Sequence, residues 1–278
     1  MTQTEKQLLS HQKARVEVIE PGLVILRQFI DDAECRKIAE MAQAMGSDSA
    51  EDGFYTTDQN GNRVLNTGEA RGRIYDRATR FPPELIQQSD NAVSAACEAD
   101  PAMPEMTCTH LLLNMYTTSA GLIWHRDIYE NDGKSDHPVV NLSIGASCLF
   151  GFKHEDTDEE RTVTLHSGDV ILFGGPCRLI KHAVLSIDLN DCPEWMKESG
   201  NPCRFSFTFR DSPEVLGREH EFKYFRVSEH LVGQDDFKKP KDAKSFLGLP
   251  SHATQKVKAV MPDSDVLVRR SVLNRTLL

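Results

Sequence analysis

The alternation of apolar and polar positions divides the chain into stretches of different character. Residues 16–30, VEVIEPGLVILRQFI, form apolar extended segments broken at Pro-Gly, which predicts two strands and a turn. Asp31 and Asp32 then offer N-caps to a helix over 33–45. Its apolar positions are Ala33, Ile38, Met41, Ala42 and Met45, and Gly46 is placed to end it. A second helix is predicted over 83–99. Between the two helices, residues 47–82 are rich in Gly, Asn, Asp, Thr and Arg and have little periodicity. Within them, 53–82 reads as a mobile lid, because long loops in compact domains tend to carry function.

From residue 107 the period shortens to two. TCTHLLLNMY, PVVNLSIG, SCLFGF, RTVTLH, DVILFGG, RLIKHAVLSI and CRFSFTFR are short β-rich runs separated by turn residues. Short strands at regular spacing predict a sandwich or barrel. RFSFTFR alternates cleanly, so Arg204, Ser206, Thr208 and Arg210 share one face. After 212 the pattern weakens, and 233–265 reads as a linker or tail. No internal repeat is present.

Composition narrows the class without naming a function. In 278 residues, 39% hydrophobic and 27% charged content is that of a soluble globular protein. No apolar run reaches the ~18 residues of a membrane span. The polar N-terminus lacks a signal-peptide core, so a soluble, intracellular protein with no membrane partner is expected. Seven cysteines without a CxxC pair read as buried small apolar residues rather than disulfides or a zinc site. A net charge of −10 weighs against strong non-specific binding to nucleic acid. From Lys238 to Leu278, nine Lys/Arg face three Asp, a local balance of +6 that leaves −16 elsewhere. That basic end reads as a solvated tail or as a phosphate contact.

Candidate chemistry starts at WHRD, 124–127. His125 and Asp127 stand at i and i+2, so on a strand both side chains reach one side. Two imidazoles and one carboxylate on one face of a metal leave three positions open, the facial triad of non-haem iron(II) oxygenases. Alone, the pair is a weak signal, and a polar strand end has the same look. His182, in RLIKHAV, is the candidate third ligand, although a lone His in an apolar strand is also the pattern of a core residue. Arg204 and Arg210 face one way, suited to gripping a dicarboxylate or to a surface salt-bridge ladder. Asn114 and Tyr116, also at i and i+2, supply further donors.

Other residues carry less. His110, His137, His154 and His166 read as surface histidines without a paired partner, with His137 near enough to the HxD pair to be a candidate substrate contact. Trp124 and Phe150 read as core. ARGRIYDRATR, with Arg71, Arg73, Arg77 and Arg80, reads as an exposed basic stretch, either a nucleic-acid contact or a charged loop.

Taken in order, NMY, HRD eight residues later, PVVNLSIG, GDVILFGGPCRLIKHAV and RFSFTFR resemble the AlkB family of 2-oxoglutarate-dependent iron(II) oxygenases. The likeness runs over about 105–212. It implies an α+β protein with a double-stranded β-helix (jelly roll) core over 105–212. An N-terminal extension with helices and a substrate lid would span 1–104, and a C-terminal extension, partly basic, 213–278. By the same resemblance His125, Asp127 and His182 bind Fe(II) and carry catalysis. Asn114, Tyr116, Arg204, Ser206 and Arg210 bind 2-oxoglutarate, with Arg204 and Tyr116 at its distal carboxylate and Asn114 and Arg210 nearer the metal. O2 is the co-reactant. Tyr129, Glu130, Arg71 and Arg73 are the candidate substrate residues.

Two positions depart from the family pattern. Tyr129 stands where its bacterial repair enzymes carry an Asp that helps read the damaged base, and Ser206 stands where an Asn is usual. The implied activity is oxidative N-demethylation of a methylated nucleobase in DNA or RNA, and a base so treated must leave its stack. The alternative is a hydroxylase or demethylase of a protein side chain or small metabolite. A third reading, a jelly-roll binding module without chemistry, sits poorly with a complete triad.

Overall fold

Why the chain folds as it does is clearest from the face each strand must hide. The structure is a computed structural model and describes residues 15–47, 53–68, 71–128, 135–154, 157 and 159–211. Strands β1 (Arg15–Glu20) and β2 (Leu23–Arg27) pair across the Pro-Gly turn, as the pattern predicts. Helix α1 (Asp32–Met45) is capped by Asp31, whose carboxylate accepts the Glu34 N–H at 2.8 Å. Its buried stripe is Cys35, Ile38, Ala39 and Ala42, whereas Ala33 is exposed and Met41 and Met45 are half-buried. Gly46 ends the helix for a steric reason. Its φ of −93° is open to any residue, but a Cβ there would sit 1.9 Å from the Phe54 ring.

Residues 53–77 correct the expectation of an irregular exposed lid. They form a hairpin, β3 (Tyr55–Thr57) and β4 (Arg63–Leu65), then a seven-residue strand, β5 (Arg71–Arg77). The hairpin turn is closed by Asp58, which accepts the N–H groups of Asn60 and Asn62. Asn66 fastens the hairpin to the strand, donating to the carbonyls of Gly53 and Arg73 and accepting the Arg73 N–H at 2.7 Å. A 3₁₀ turn over 78–80 leads to helix α2 (Pro83–Ala99), whose opening proline needs no N–H there.

Eight further strands follow: β6 (His110–Tyr116), β7 (Leu122–His125), β8 (Val139–Gly145), β9 (Ser147–Lys153), β10 (Arg161–Leu165), β11 (Val170–Phe173), β12 (Lys181–Asp188) and β13 (Arg204–Arg210). A short helix, α3 (Glu194–Glu198), precedes β13. One sheet has the order β1-β2-β11-β8-β13-β6-β5 and the other β10-β9-β12-β7, with every pairing antiparallel. From β6 onward the chain passes back and forth between the sheets, the connectivity of a jelly roll. Strands from before residue 105 thus widen one of its two sheets. Helices α1 and α2 pack on that sheet, against β8 and against β1, β2, β8 and β11 respectively.

β13 shows how this architecture makes a site. Phe205, Phe207 and Phe209 join the hydrophobic core on one face, while Arg204, Ser206, Thr208 and Arg210 line a cavity on the other. Both faces are buried. The cysteines follow the same logic: all seven are free and six are buried, and burial pushes the Cys35, Cys108 and Cys203 thiols up to about 12.

Gly145 closes β8 with φ at +89°, and a Cβ there would meet the Cys203 carbonyl at 2.4 Å. Gly145→Ala combines a left-handed backbone with a clash against backbone, so a loss of about 2–4 kcal/mol is expected. Urea unfolding followed by circular dichroism measures it, and a loss below about 0.5 kcal/mol, the range of neutral surface changes, contradicts the steric reading.

Candidate active site

His182 on β12 lies directly opposite His125 at the end of β7, and the two ring centroids are 4.2 Å apart. β7 stops at His125, so strand alternation does not bring Asp127 beside them. Two arginines do. Arg210 Nη2 donates to Asp127 Oδ1 at 2.6 Å, and Arg178 Nη1 donates to the Asp127 carbonyl. Asp127 Oδ1 is then 3.9 Å from His125 Nε2, and its Oδ2 is 3.8 Å from His182 Nε2. The three side chains each turn one ligand atom into a space no wider than 4.8 Å.

The imidazoles are set up as neutral donors of a lone pair. His125 Nδ1–H donates to the Ile123 carbonyl at 2.8 Å and His182 Nδ1–H to the Ile180 carbonyl at 3.3 Å, which leaves each Nε2 bare and facing Asp127. Burial disfavours the charged ring in both cases. It holds His125 below its ordinary value and, with the neighbouring His125, takes His182 down to about 3. Phe150 stacks on the His182 ring and Phe173 tilts against it, fixing its rotamer. Two neutral imidazoles and a carboxylate converging on one point are a donor set for a divalent cation such as Fe(II).

The strand register builds the rest of the cavity. Arg204 pairs with Tyr116, Ser206 with Asn114 and Arg210 with His110 across β13 and β6. Arg204 is 1% exposed, yet among the described residues its guanidinium has only neutral acceptors, Ser143 Oγ at 2.9 Å and the Ala146 carbonyl at 3.4 Å. Its Nε is buried without a hydrogen-bond partner, and no carboxylate pairs with it among the described residues. A buried cation in that condition is costly unless an anion joins it. Here a carboxylate of 2-oxoglutarate fits, with Tyr116 lining the same cavity.

Of the residues singled out from sequence, His125, Asp127, His182, Asn114, Tyr116, Arg204, Ser206, Arg210 and Arg73 line one cavity. Arg73 and Arg71 correct an expectation. They lie on β5 opposite Asn114 and Tyr116, at 2% and 8% exposure, not on an exposed stretch. Arg73 Nε donates to Asn114 Oδ1 at 3.3 Å, and the charge of Arg71 bears on His125. The clue was present in RGRIYDR, where Arg71, Arg73, Tyr75 and Arg77 alternate, but arginines on a strand suggest solvent when the strand is not known to edge a cavity. Tyr129 and Glu130 lie outside the described residues, as does the C-terminal segment after 211.

The remaining histidines also need correcting. His110 is buried in β6, edge-on to Tyr75 and 3.1 Å from Thr109 Oγ1. His137, His154 and His166 are at or near the surface as expected, but each has a carboxylate partner: Asp211 at 2.6 Å, Glu20 at 2.9 Å and Asp191 at 3.2 Å. His137 is absent from the lining of the HxD cavity. Glu20, His154 and Cys177 form a second group of metal-ligating types. It is held instead by Arg161 on Glu20, with burial raising the Cys177 thiol to about 12. Asn141, Thr208, Arg126 and Arg178 were not singled out as site residues from the sequence. Two of them carry a signal there: Thr208 shares the polar face of RFSFTFR, and Asn141 is a polar residue inside the apolar run PVVNLSIG.

The chain is similar to several known proteins. The family model of the 2OG-Fe(II) oxygenase superfamily matches residues 22–210. The chain is 30% identical to DNA N(6)-methyladenine demethylase ALKBH1C of Arabidopsis thaliana over 69% of its length and 49% of the relative's. It is 26% identical to the Escherichia coli alpha-ketoglutarate-dependent dioxygenase AlkB, over 70% of this chain and 93% of that one. The solved structure of OsALKBH1 superposes with a TM-score of 0.58 at 26% identity, covering 70% of this chain and all of that chain. The chain spans about half the length of its Arabidopsis relatives. Among the described residues, no helix is long and apolar enough to cross a membrane.

Proposed function

Because the chain belongs to the 2OG-Fe(II) oxygenase superfamily, within its AlkB family, we propose that it removes N-methyl groups oxidatively from nucleobases in DNA or RNA. The observation that carries the chemistry is the His125–Asp127–His182 cluster beside a buried Arg204 that has no carboxylate partner among the described residues. When bound there, iron(II), 2-oxoglutarate and dioxygen supply hydroxylation of a C–H bond, which on an N-methyl carbon ends in formaldehyde, succinate and carbon dioxide.

The protein's own residues do the positioning. His125, Asp127 and His182 would hold the metal, and the carbonyls of Ile123 and Ile180 keep both rings in the tautomer that leaves Nε2 to ligate it. Arg210 and Arg178 keep Asp127 from swinging away. Arg204 would take the distal carboxylate of 2-oxoglutarate, and Asn114, whose oxygen accepts from Arg73 Nε, lines the same cavity with amide N–H groups to donate. Phe150, Phe173, Leu122 and Val184 wall the same cavity and keep water out. The lid function of residues before β6 and the division at 104 and 212 belong to this reading.

A nucleobase substrate is supported by the name of the Arabidopsis relative, which acts on methylated adenine in DNA. The test is a turnover screen with N-methylated DNA, RNA and nucleosides, alongside methylated peptides and small metabolites. Formaldehyde and succinate released together, in equal amounts, from a nucleic acid are the expected result. Succinate with a peptide or metabolite, and no formaldehyde from any nucleic acid, would replace the proposal by the side-chain or metabolite reading.

A further inference from the structure

Asn141 lies in the middle of β8, on the cavity face, where an apolar side chain would satisfy the strand. It donates both hydrogens of its amide across the ladder. Nδ2 is 2.8 Å from Ser206 Oγ and 2.9 Å from Thr208 Oγ1. The register explains how one amide reaches both: Thr208 is its direct cross-strand neighbour and Ser206 the diagonal one. A hydroxyl that accepts from Asn141 still has its own proton to give. Neither Ser206 nor Thr208 gives that proton to another described residue, and both line the cavity with Arg204.

We propose that Asn141 is a positioning residue for 2-oxoglutarate, orienting the Ser206 and Thr208 hydroxyls so that both donate to its carboxylate oxygens. The inference rests on the reading that 2-oxoglutarate occupies this cavity. It assigns a role to a residue that does not itself touch the co-substrate. Without the amide, each hydroxyl is free to rotate and accept, and an oxygen lone pair turned toward a carboxylate repels it. It also accounts for serine at 206: the amide that would serve there is supplied from the adjacent strand, through one relayed hydrogen bond.

The test is calorimetric titration of 2-oxoglutarate into the metal-loaded protein under anaerobic conditions, so that binding is read without turnover. Asn141→Ala should weaken binding by about tenfold, the lower end of what one hydrogen bond to a charged group is worth. In a Ser206→Ala/Thr208→Ala background the same substitution should add nothing, because its route to the ligand is gone. Unchanged binding in Asn141→Ala, or a loss that adds fully to that of the double variant, overturns the inference. If Asn141→Ala does not fold, Asn141→Ser combined with Ser206→Asn moves the amide to the partner strand. That exchange should bring affinity back to within about threefold of the parent when Asn141→Ser alone has lost it, since the two sites are directly coupled. No recovery overturns it. A parent protein that takes up no 2-oxoglutarate sinks the occupancy reading as well, which distinguishes the two failures.

Discussion

Replacing His182 with alanine is expected to abolish iron uptake and turnover in a protein that remains folded. His182 is a buried candidate ligand, paired with His125 across the ladder and in contact with the Phe150 and Phe173 rings. Asp127 stays in place in the variant, because Arg210 holds it from β13 and Arg178 from the turn before β12. Two ligands then remain. Loss of a group that merely orients a ligand weakens metal by roughly ten- to a hundredfold, and loss of a ligand itself should exceed that. The buried ring leaves a small apolar void, so a stability loss of about 1–3 kcal/mol is expected from the packing alone. Metal analysis after dialysis against micromolar iron, with thermal unfolding alongside, checks both. One equivalent of iron retained in a folded His182→Ala protein removes His182 from the site.

How much of this was legible in the sequence depended on what each residue had to hide. RFSFTFR is legible because alternation is the whole signal: three phenylalanines enter the core and four polar residues enter the cavity. Helix α2 ran from a proline over the span expected. Asp127 was singled out for a reason that turned out different. It reaches the histidines from beyond the end of β7, through arginines 51 and 83 residues downstream, and no local pattern reports such a partnership.

In β5 composition masks the period. Charged residues spaced by two look like an exposed loop when the sheet they edge is unknown, and the burial of Arg71 and Arg73 depends on β6 lying beside them. His110 was missed for the converse reason: a polar residue at the start of an apolar strand gives no hint that Tyr75, from another strand, will cover it. The cavity is thus assembled from long-range pairings, and those are the part of a jelly roll that local periodicity does not encode.

Arg204 offers a sign test that separates a binding residue from a structural one. Its guanidinium is buried against a hydroxyl and a carbonyl, with no carboxylate among the described residues. A charge so placed costs folding free energy until an anion arrives, and replacing it by an apolar side chain of similar length removes that cost. Arg204→Met is therefore expected to abolish 2-oxoglutarate binding while leaving the melting temperature of the ligand-free protein unchanged or higher. Arg204→Lys keeps the charge but loses the two-pronged grip, so the 2-oxoglutarate requirement should rise by roughly ten- to a hundredfold, the worth of one charged hydrogen bond. In the parent, 2-oxoglutarate at about a hundred times its Kd should stabilise the fold by about 2.7 kcal/mol. That increment should vanish in Arg204→Met. Thermal unfolding of the three proteins, each with and without the co-substrate, measures all of this together. A ligand-induced increment that survives in Arg204→Met would move the carboxylate to another cation, and a large drop in its ligand-free stability would make Arg204 a strut of the sheet.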